Sequence, residues 1–140
     1  MTVEDINTGV PDLSKPKPKA KKTKKRPKQN WSAQADKRFG EIVRSIGMCE
    51  SGRLEHKGNL QCAHGFSRRY RTTRWDLKNA WCLCAGCHKY YTERPLEWDD
   101  WLIARWGRPT YEAMRFKALA GYKIDTKAVL AELKAIEVSR

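Results

Sequence analysis

The chain has 140 residues, with 29 Lys and Arg against 16 Asp and Glu, and a formal net charge of +13 at pH 7. This length predicts one compact domain with appendages and excludes a large multidomain enzyme. Mean hydropathy is −0.79, and no apolar run approaches the about 18 residues that a membrane span needs. The first residues, MTVEDINTGV, contain acids and no apolar core, so we expect no secretory signal and a cytoplasmic protein.

The basic residues are concentrated in residues 15–28, KPKPKAKKTKKRPK, which hold nine Lys and Arg and no acid. So few apolar side chains cannot offset the entropy of ordering the chain, and residues 1–30 are predicted to be a disordered tail. Dense positive charge favours phosphate backbones, because each neutralised phosphate releases counterions. A solubilising tail or a localisation signal would have the same composition, so these interpretations stay open beside a DNA-binding arm.

A helix is predicted to begin at a Ser32 cap, to run to about Ile46 and to stop at Gly47. Its apolar residues recur at the helical spacing i, i+3, i+4 and i+7, which indicates one buried face. That face consists of Phe39, Ile42, Val43 and Ile46.

The middle of the chain has shorter elements. Residues 49–60 are polar and contain glycines, which predicts a loop or a zinc knuckle, and residues 60–64 are predicted to form a short strand. Residues 65–78 contain four arginines interleaved with the aromatic residues Tyr70 and Trp75, and we expect a loop or an extended hairpin rather than a helix. Residues 79–84 are expected to start irregularly and to lead into a helix that begins near the end of that range.

Three further helices are predicted after Pro95. The first ends at Gly107, the second is capped by Thr110 and closed by Gly121, and the third is capped by Asp125. A tryptophan stripe is more often core than a base-stacking surface, so we assign it to the core. The predicted inward residues are Trp98, Trp101, Leu102, Trp106, Met114, Leu119, Val129, Leu130, Leu133 and Ile136.

The chain has five cysteines, an odd number, and without a secretory signal thiolate metal ligation is favoured over a disulfide framework. Cys84 and Cys87 form a C-x2-C pair, the spacing at which two thiolates reach one tetrahedral zinc ion. His88 follows directly. Cys82 is expected to be buried and inert.

Three further residues extend this pattern: His64 at the end of the predicted strand, Asn79 fifteen residues later, and His88 directly after the knuckle. The stretch QCAHGFSRRYRTTRWDLKNAWCLCAGCH resembles the His-Asn-His (HNH) endonuclease family, and is most similar to small phage-borne members. The resemblance covers roughly residues 49–95 and does not extend to the basic tail or the C-terminal helices.

The resemblance implies an α+β, mostly helical protein with a small ββα-metal core and a zinc knuckle. The expected organisation is a disordered tail at 1–30, an N-terminal helix at 31–48, the nuclease core at 49–95 and a helical extension of the same domain at 96–140. In a phage-borne protein the cytoplasm would be that of the host cell.

The resemblance also implies roles for single residues. His64 would be the general base that activates water, Asn79 would position the loop and the base, and His88 would ligate one catalytic divalent ion. That ion could be magnesium, manganese, nickel or zinc. The guanidinium groups of Arg68, Arg69, Arg71 and Arg74 would contact phosphates near the cut, and we expect no acid opposite them.

The structural zinc implied by the family would keep Cys49, Cys84 and Cys87. The family's usual first C-x2-C pair is incomplete here, because Cys49 is followed by Glu50-Ser51-Gly52. The fourth ligand is therefore open between His56 and Cys62. His88 could also complete this site, at the expense of catalysis.

Two functions from different classes follow. The first is a metal-dependent DNA endonuclease, with branched or junction DNA as a narrower variant. The alternative is a zinc-containing DNA-binding module without catalysis, because Ala63 occupies the position where the family usually has an Asp or His metal ligand. DNA is the expected partner in both cases, with a homodimer or another phage protein also left open.

Overall fold

The structure is a computed structural model that describes residues 14, 16, 18–21 and 29–138. The prediction of a disordered tail at 1–30 therefore falls mostly outside the described residues. The described chain is mostly helical with one small two-stranded antiparallel sheet, an α+β arrangement as expected. Its elements are α1 (Trp31–Arg44), β1 (Leu60–His64), α2 (Arg71–Arg74), a 3-10 turn (Leu77–Asn79), β2 (Ala80–Cys84), α3 (Ala85–Thr92), α4 (Pro95–Trp106), α5 (Arg108–Ala120) and α6 (Thr126–Ala135).

The first helix differs from its prediction at both ends. Asn30 rather than Ser32 is the N-cap, and its Oδ1 accepts a hydrogen bond from Ala33 N at 3.0 Å. Ser32 lies inside the helix and accepts from Arg71 instead. The helix ends at Arg44, so Ile46 lies beyond it and is exposed.

The sheet brings the middle of the chain together. The strand predicted at residues 60–64 is confirmed, and it pairs with β2 from Leu60 opposite Cys84 to His64 opposite Ala80. Residues 79–84 were expected to start irregularly, but residues 80–84 are strand, because this pairing satisfies their backbone groups. The helix expected to follow them begins at Ala85, as predicted. Residues 65–78 were expected to be non-helical but contain α2 and most of the 3-10 turn.

The three C-terminal helices are present as predicted, with local differences. Gly107, not Thr110, precedes α5, and Leu119 is 57% exposed because Met114 and Ala118 are the residues that face inward. Gly121 ends α5 in the left-handed conformation that glycine adopts without strain. Asp125 caps α6 as predicted, accepting from Ala128 N.

The first and last helices pack together over the sheet. Phe39 and Val43 of α1 share a buried cluster with Leu130 and Leu133 of α6, and Cys82 of β2 lies in the same cluster. Arg38 of α1 donates hydrogen bonds to the carbonyl oxygens of Leu133 and Ile136, at the end of α6. This cluster covers the face of the sheet that carries Cys82, which is also the face on which His64 lies.

A second buried cluster lies near α4 and includes Leu83, Cys84 and Cys87. Leu102 of α4 is fully buried, whereas Trp98, Trp101 and Trp106 are only half-buried. The tryptophan stripe is therefore only partly in the core. Within the described ranges, no helix combines the length and the apolar character required to cross a membrane.

Candidate functional site

A compact group of metal-ligating side chains joins the loop before β1 to the start of α3. The ligand atoms of Cys49, His56, Cys84 and Cys87 all lie within 4.8 Å of one another. His56 Nδ1 is 3.7 Å from the Sγ atoms of both Cys84 and Cys87. Zinc bonds of about 2.3 Å to sulfur and about 2.1 Å to nitrogen put these atoms about 3.6 Å apart in a tetrahedron. The donor set and its spacing therefore fit a tetrahedral Cys3His zinc site.

The backbone explains why these ligands meet. Ala85 N donates to Asn59 O and Gly86 N donates to Lys57 O, each at 2.8 Å, so the loop lies against the first turn of α3. Glu50 N donates to Cys82 O at 2.7 Å and holds the start of the same loop on β2. These contacts bring the two halves of the ligand set together from opposite sides.

The electrostatics of the cluster favour the thiolate form of Cys84. Burial opposes ionisation of Cys84, but hydrogen bonds from the backbone of Cys87 and Lys57 outweigh it and lower the pKa of Cys84 to about 7. Zinc binds the thiolate form, so the lowered pKa reduces the free energy needed to remove the proton of Cys84 when zinc binds.

The other two cysteines lie outside this group. Cys62, which was the alternative fourth ligand, faces Cys82 across the sheet, and burial raises the pKa of its thiol to about 11. Cys82 is fully buried, as expected, and burial raises its pKa as well. Of the two candidates for the fourth ligand, the structure brings His56 to the site and leaves Cys62 in the sheet.

His64 and His88 line one cleft of about 450 Å³, which also contains Arg68. His64 Nε2 lies 2.9 Å from Arg74 O, and a carbonyl oxygen only accepts, so Nε2 carries the proton and Nδ1 keeps its lone pair. The Phe39 ring stacks on the imidazole with the centroids 5.4 Å apart. Both contacts fix the orientation of His64.

Burial lowers the pKa of His64 below its ordinary value, and the positive charges of Arg68 and Arg74 act in the same direction. The Arg74 carbonyl and the Asp36 carboxylate oppose the shift. The neutral ring, which is the form that accepts a proton, is therefore the dominant form at neutral pH.

His88 is oriented by a residue that the sequence pattern did not identify. Its Nδ1 is 2.8 Å from Oε1 of Gln61, on the neighbouring strand β1. With the amide oxygen as acceptor, Nδ1 carries the proton and Nε2 is left available as a metal ligand. Such an outer hydrogen bond is the usual way in which proteins orient a ligating imidazole. Burial lowers the pKa of His88, which also favours the neutral ring.

Asn79 is fully buried and closes the segment that follows His64. Its Oδ1 accepts from Phe66 N at 2.7 Å, and its Nδ2 donates to Phe66 O and Thr73 O, each at 3.1 Å. A Cβ on Gly65 would lie 2.9 Å from this Oδ1, so only glycine allows the close approach. The Asn79 side chain therefore holds the turn after His64 by hydrogen bonds to the backbone of that segment.

The four predicted phosphate-binding arginines are not equivalent. Arg74 forms two hydrogen bonds to the Asp36 carboxylate, at 3.0 and 2.5 Å, and its side chain is only 17% exposed. Arg68 also pairs with Asp36, at 3.2 Å, but remains exposed in the cleft. The expectation that no acid lies opposite the arginines is therefore wrong, because α1 brings Asp36 to them.

The remaining two arginines have different surroundings. Arg71 donates to Ser32 and Thr126 and thereby joins α1 to α6, whereas Arg69 is exposed beside Tyr70. Arg68 and Arg69 are thus available to an anionic partner, Arg71 is partly engaged, and Arg74 is an internal residue of the fold.

Gln61 and Asp36 are the two contributors that sequence reasoning missed. Gln61 lies two residues before Ala63 on β1. Because side chains alternate along a strand, the sequence could have indicated that Gln61 lies on the face of β1 opposite to that of His64. Asp36 gives no comparable signal, because it is 38 residues away from Arg74.

Comparisons of this chain with protein-family models, with curated proteins and with solved structures gave no match. The functional assignment therefore depends on the residues of the cleft and on the Cys/His cluster beside it.

Proposed function

We propose that the protein is a metal-dependent DNA endonuclease of the HNH type, with the cleft between β1 and α3 as its active site. The observation that carries the proposal is the pair of histidines in one cleft, each with one ring nitrogen occupied by a protein oxygen and the other left free. One free nitrogen suits proton abstraction and the other suits metal ligation, and hydrolysis of a phosphodiester by this route requires both.

In the proposed reaction His64 Nδ1 accepts a proton from a water molecule as the water oxygen bonds to phosphorus. The bond from phosphorus to the leaving sugar oxygen then breaks, and that oxygen takes a proton from solvent. The hydrogen bond to Arg74 O and the stacked Phe39 ring keep Nδ1 directed and stabilise the ring as it becomes protonated. Arg68, at the edge of the same cleft, would orient the phosphate.

His88 Nε2 would hold the divalent ion, with Gln61 fixing the ring. When bound, such an ion neutralises the charge that develops on the phosphate oxygens. Asn79 is not available as a ligand, because Oδ1 and Nδ2 are both used inside the protein. The carboxylate of Asp76 is also used inside the protein, because it accepts hydrogen bonds from Lys117 Nζ and from Lys78 N at the start of the 3-10 turn.

The second candidate function is a zinc-containing DNA-binding module without catalysis. Ala63 is buried where the family usually supplies a metal ligand. Among the described residues, Cys49, His56, Cys84 and Cys87 are the only group of three or more metal-ligating side chains at ligand distance. A catalytic ion would thus depend on His88, water and the substrate phosphate.

Supercoiled plasmid separates the two functions. Wild-type protein is incubated with magnesium, with manganese or without added divalent ion, beside His64→Ala and His64→Gln. The exposed Asn59→Ala is the matched control. We expect metal-dependent nicking by the wild type and by the control, and a loss of about 100-fold to 10,000-fold in both His64 variants, the range for a general base.

Circular dichroism and zinc content check that the variants are folded. Equal cleavage by a folded, pure His64 variant would overturn the proposed role of this residue. DNA binding by a folded wild-type protein that never cleaves would favour the non-catalytic module.

A further inference from the structure

A second concave surface lies beside the cleft, where the residues between α5 and α6 approach α2 and the start of α1. It consists of two adjoining depressions of about 560 and 550 Å³, which share Lys123 and Ile124. We call this surface the lateral groove. Its charged and aromatic lining includes Trp31, Arg69, Tyr70, Tyr122, Lys123 and Lys127.

The lateral groove has a net positive charge. Arg69, Lys123 and Lys127 make no ion pair within the part of the chain that the structure describes. The single carboxylate among its described lining residues is Asp125, which accepts a hydrogen bond from Ala128 N as the cap of α6. Three cations against one carboxylate along a groove suit a polyanion.

The same surface carries aromatic rings next to these cations. Tyr122 is 51% exposed, Arg69 lies 5.5 Å from the Tyr70 ring and Lys127 Nζ lies 5.7 Å from the Trp31 ring. Alternating rings and cations bind unpaired bases and the phosphates between them. In a duplex the faces of the bases are already stacked on one another, so this combination favours a single strand over a duplex.

The lateral groove is continuous in sequence with two other basic features. Ser67 and Arg68 line the cleft, and the next residues, Arg69 and Tyr70, line the groove. At the other end, Trp31 lies directly after the segment that contains the basic run 15–28. Along the sequence, the lining of the groove thus adjoins both the lining of the cleft and the segment that contains the basic run.

We propose that the lateral groove binds a single strand of DNA, with bases stacked on its aromatic rings and phosphates at Arg69, Lys123 and Lys127. That this strand continues into the cleft rests on the proposed nuclease function, whereas binding in the groove does not. The preferred substrate is then DNA with a single-stranded segment next to the position of cleavage.

Binding is measured without catalysis, by fluorescence anisotropy of full-length His64→Ala with no added divalent ion and no chelator. The probe is a labelled single strand of about 16 nucleotides, the upper end of known site sizes, and the comparison is the duplex of the same sequence. Two variants alter the groove: Tyr122→Ala, and the triple variant Arg69→Gln, Lys123→Gln, Lys127→Gln. The matched control has the same loss of charge outside groove and cleft: Lys89→Gln, Arg108→Gln, Lys134→Gln.

We expect Tyr122→Ala to weaken binding of the single strand roughly 5-fold to 150-fold, as loss of one stacked base does. The triple groove variant should lower the slope of log affinity against log salt by about 2, the value for three phosphate contacts on a single strand. The loss of charge in the control should weaken binding of the single strand and of the duplex by the same general factor. Apart from that factor, the control should bind the single strand within about 3-fold of the His64→Ala parent.

Single-strand binding equal to that of the control in both groove variants would overturn the proposal, and so would an equal loss for single strand and duplex. Cleavage of plasmid is measured separately, with His64 intact and Tyr122→Ala as the only substitution; cleavage in that variant leaves the nuclease function standing whatever the binding result. Loss of single-strand binding in a protein that never cleaves would support the groove and remove only the proposed function.

Discussion

Replacing Asn79 by alanine tests how the turn that follows His64 is held. The substitution removes three hydrogen bonds, to Phe66 N, Phe66 O and Thr73 O, at a position that solvent does not reach. At about 1 kcal/mol net for each bond, Asn79→Ala should lower the free energy of unfolding by about 3 kcal/mol. Loss of packing around the shortened side chain would add to this value.

The assay is urea unfolding of the zinc-loaded protein at a fixed concentration of free zinc, because ligand binding contributes to apparent stability. Asn59→Ala, at an exposed asparagine, is the control and should change stability by less than about 0.5 kcal/mol. Asn79→Asp keeps the acceptor for Phe66 N but opposes carboxylate oxygens to two carbonyls, so it should be at least as destabilising as alanine. A loss below about 1 kcal/mol in Asn79→Ala would refute the role given to these three bonds.

Three further predictions concern the metal cluster, the cleft histidine and the ion pair behind it. Elemental analysis of the purified wild type should give one zinc per chain, His56→Ala should lose it and Cys62→Ser should retain it; the reverse result would exchange the two candidates for the fourth ligand. Because burial lowers the pKa of His64, the unfolded state binds more protons than the folded state near the ordinary pKa, so this histidine's contribution to stability is complete above about pH 6.5 and falls as the pH decreases through the folded pKa; an NMR titration that gave a folded pKa above 6.5 would contradict this sign. Asp36→Asn should cost about 2 kcal/mol, because it weakens the charged hydrogen bonds to the half-buried Arg74, whereas Lys89→Gln, which breaks an exposed pair 3.9 Å long, should change stability by less than about 0.5 kcal/mol, and equal values in thermal unfolding would count against a structural role for Asp36.

Local signals in the sequence were sufficient for several elements. The strand at residues 60–64 agrees with its prediction at both ends, and Gly121 and Asp125 mark the end of α5 and the start of α6 as expected. Each depends on a property of the residue itself, such as a left-handed conformation or a side chain that caps a helix. Such properties need no knowledge of the rest of the fold.

Other features depended on contacts that no local pattern contains. Asn30 and Ser32 are both good capping residues, and the helix begins at Asn30 while Ser32 accepts from Arg71. Asp36 acquires its role only when α1 packs against the segment after β1. The Cys84-Cys87 pair correctly indicated a cluster of side chains that could hold a metal ion, but the choice of His56 over Cys62 required the loop of residues 49–59 to be in place.

The packing of α1 against α6 has a consequence for the order in which the molecule is completed during synthesis. Phe39, which stacks on His64, belongs to a cluster whose opposite side is supplied by Leu130 and Leu133. Domains on the ribosome can assemble only from the residues that have already emerged. A nascent chain that ends before residue 126 would therefore expose the apolar face of α1 and leave the support of the cleft histidine incomplete. The packing that supports the cleft would then be complete only when α6 emerges. By that time the basic segment, the loop of residues 49–59 and both strands have already left the exit tunnel.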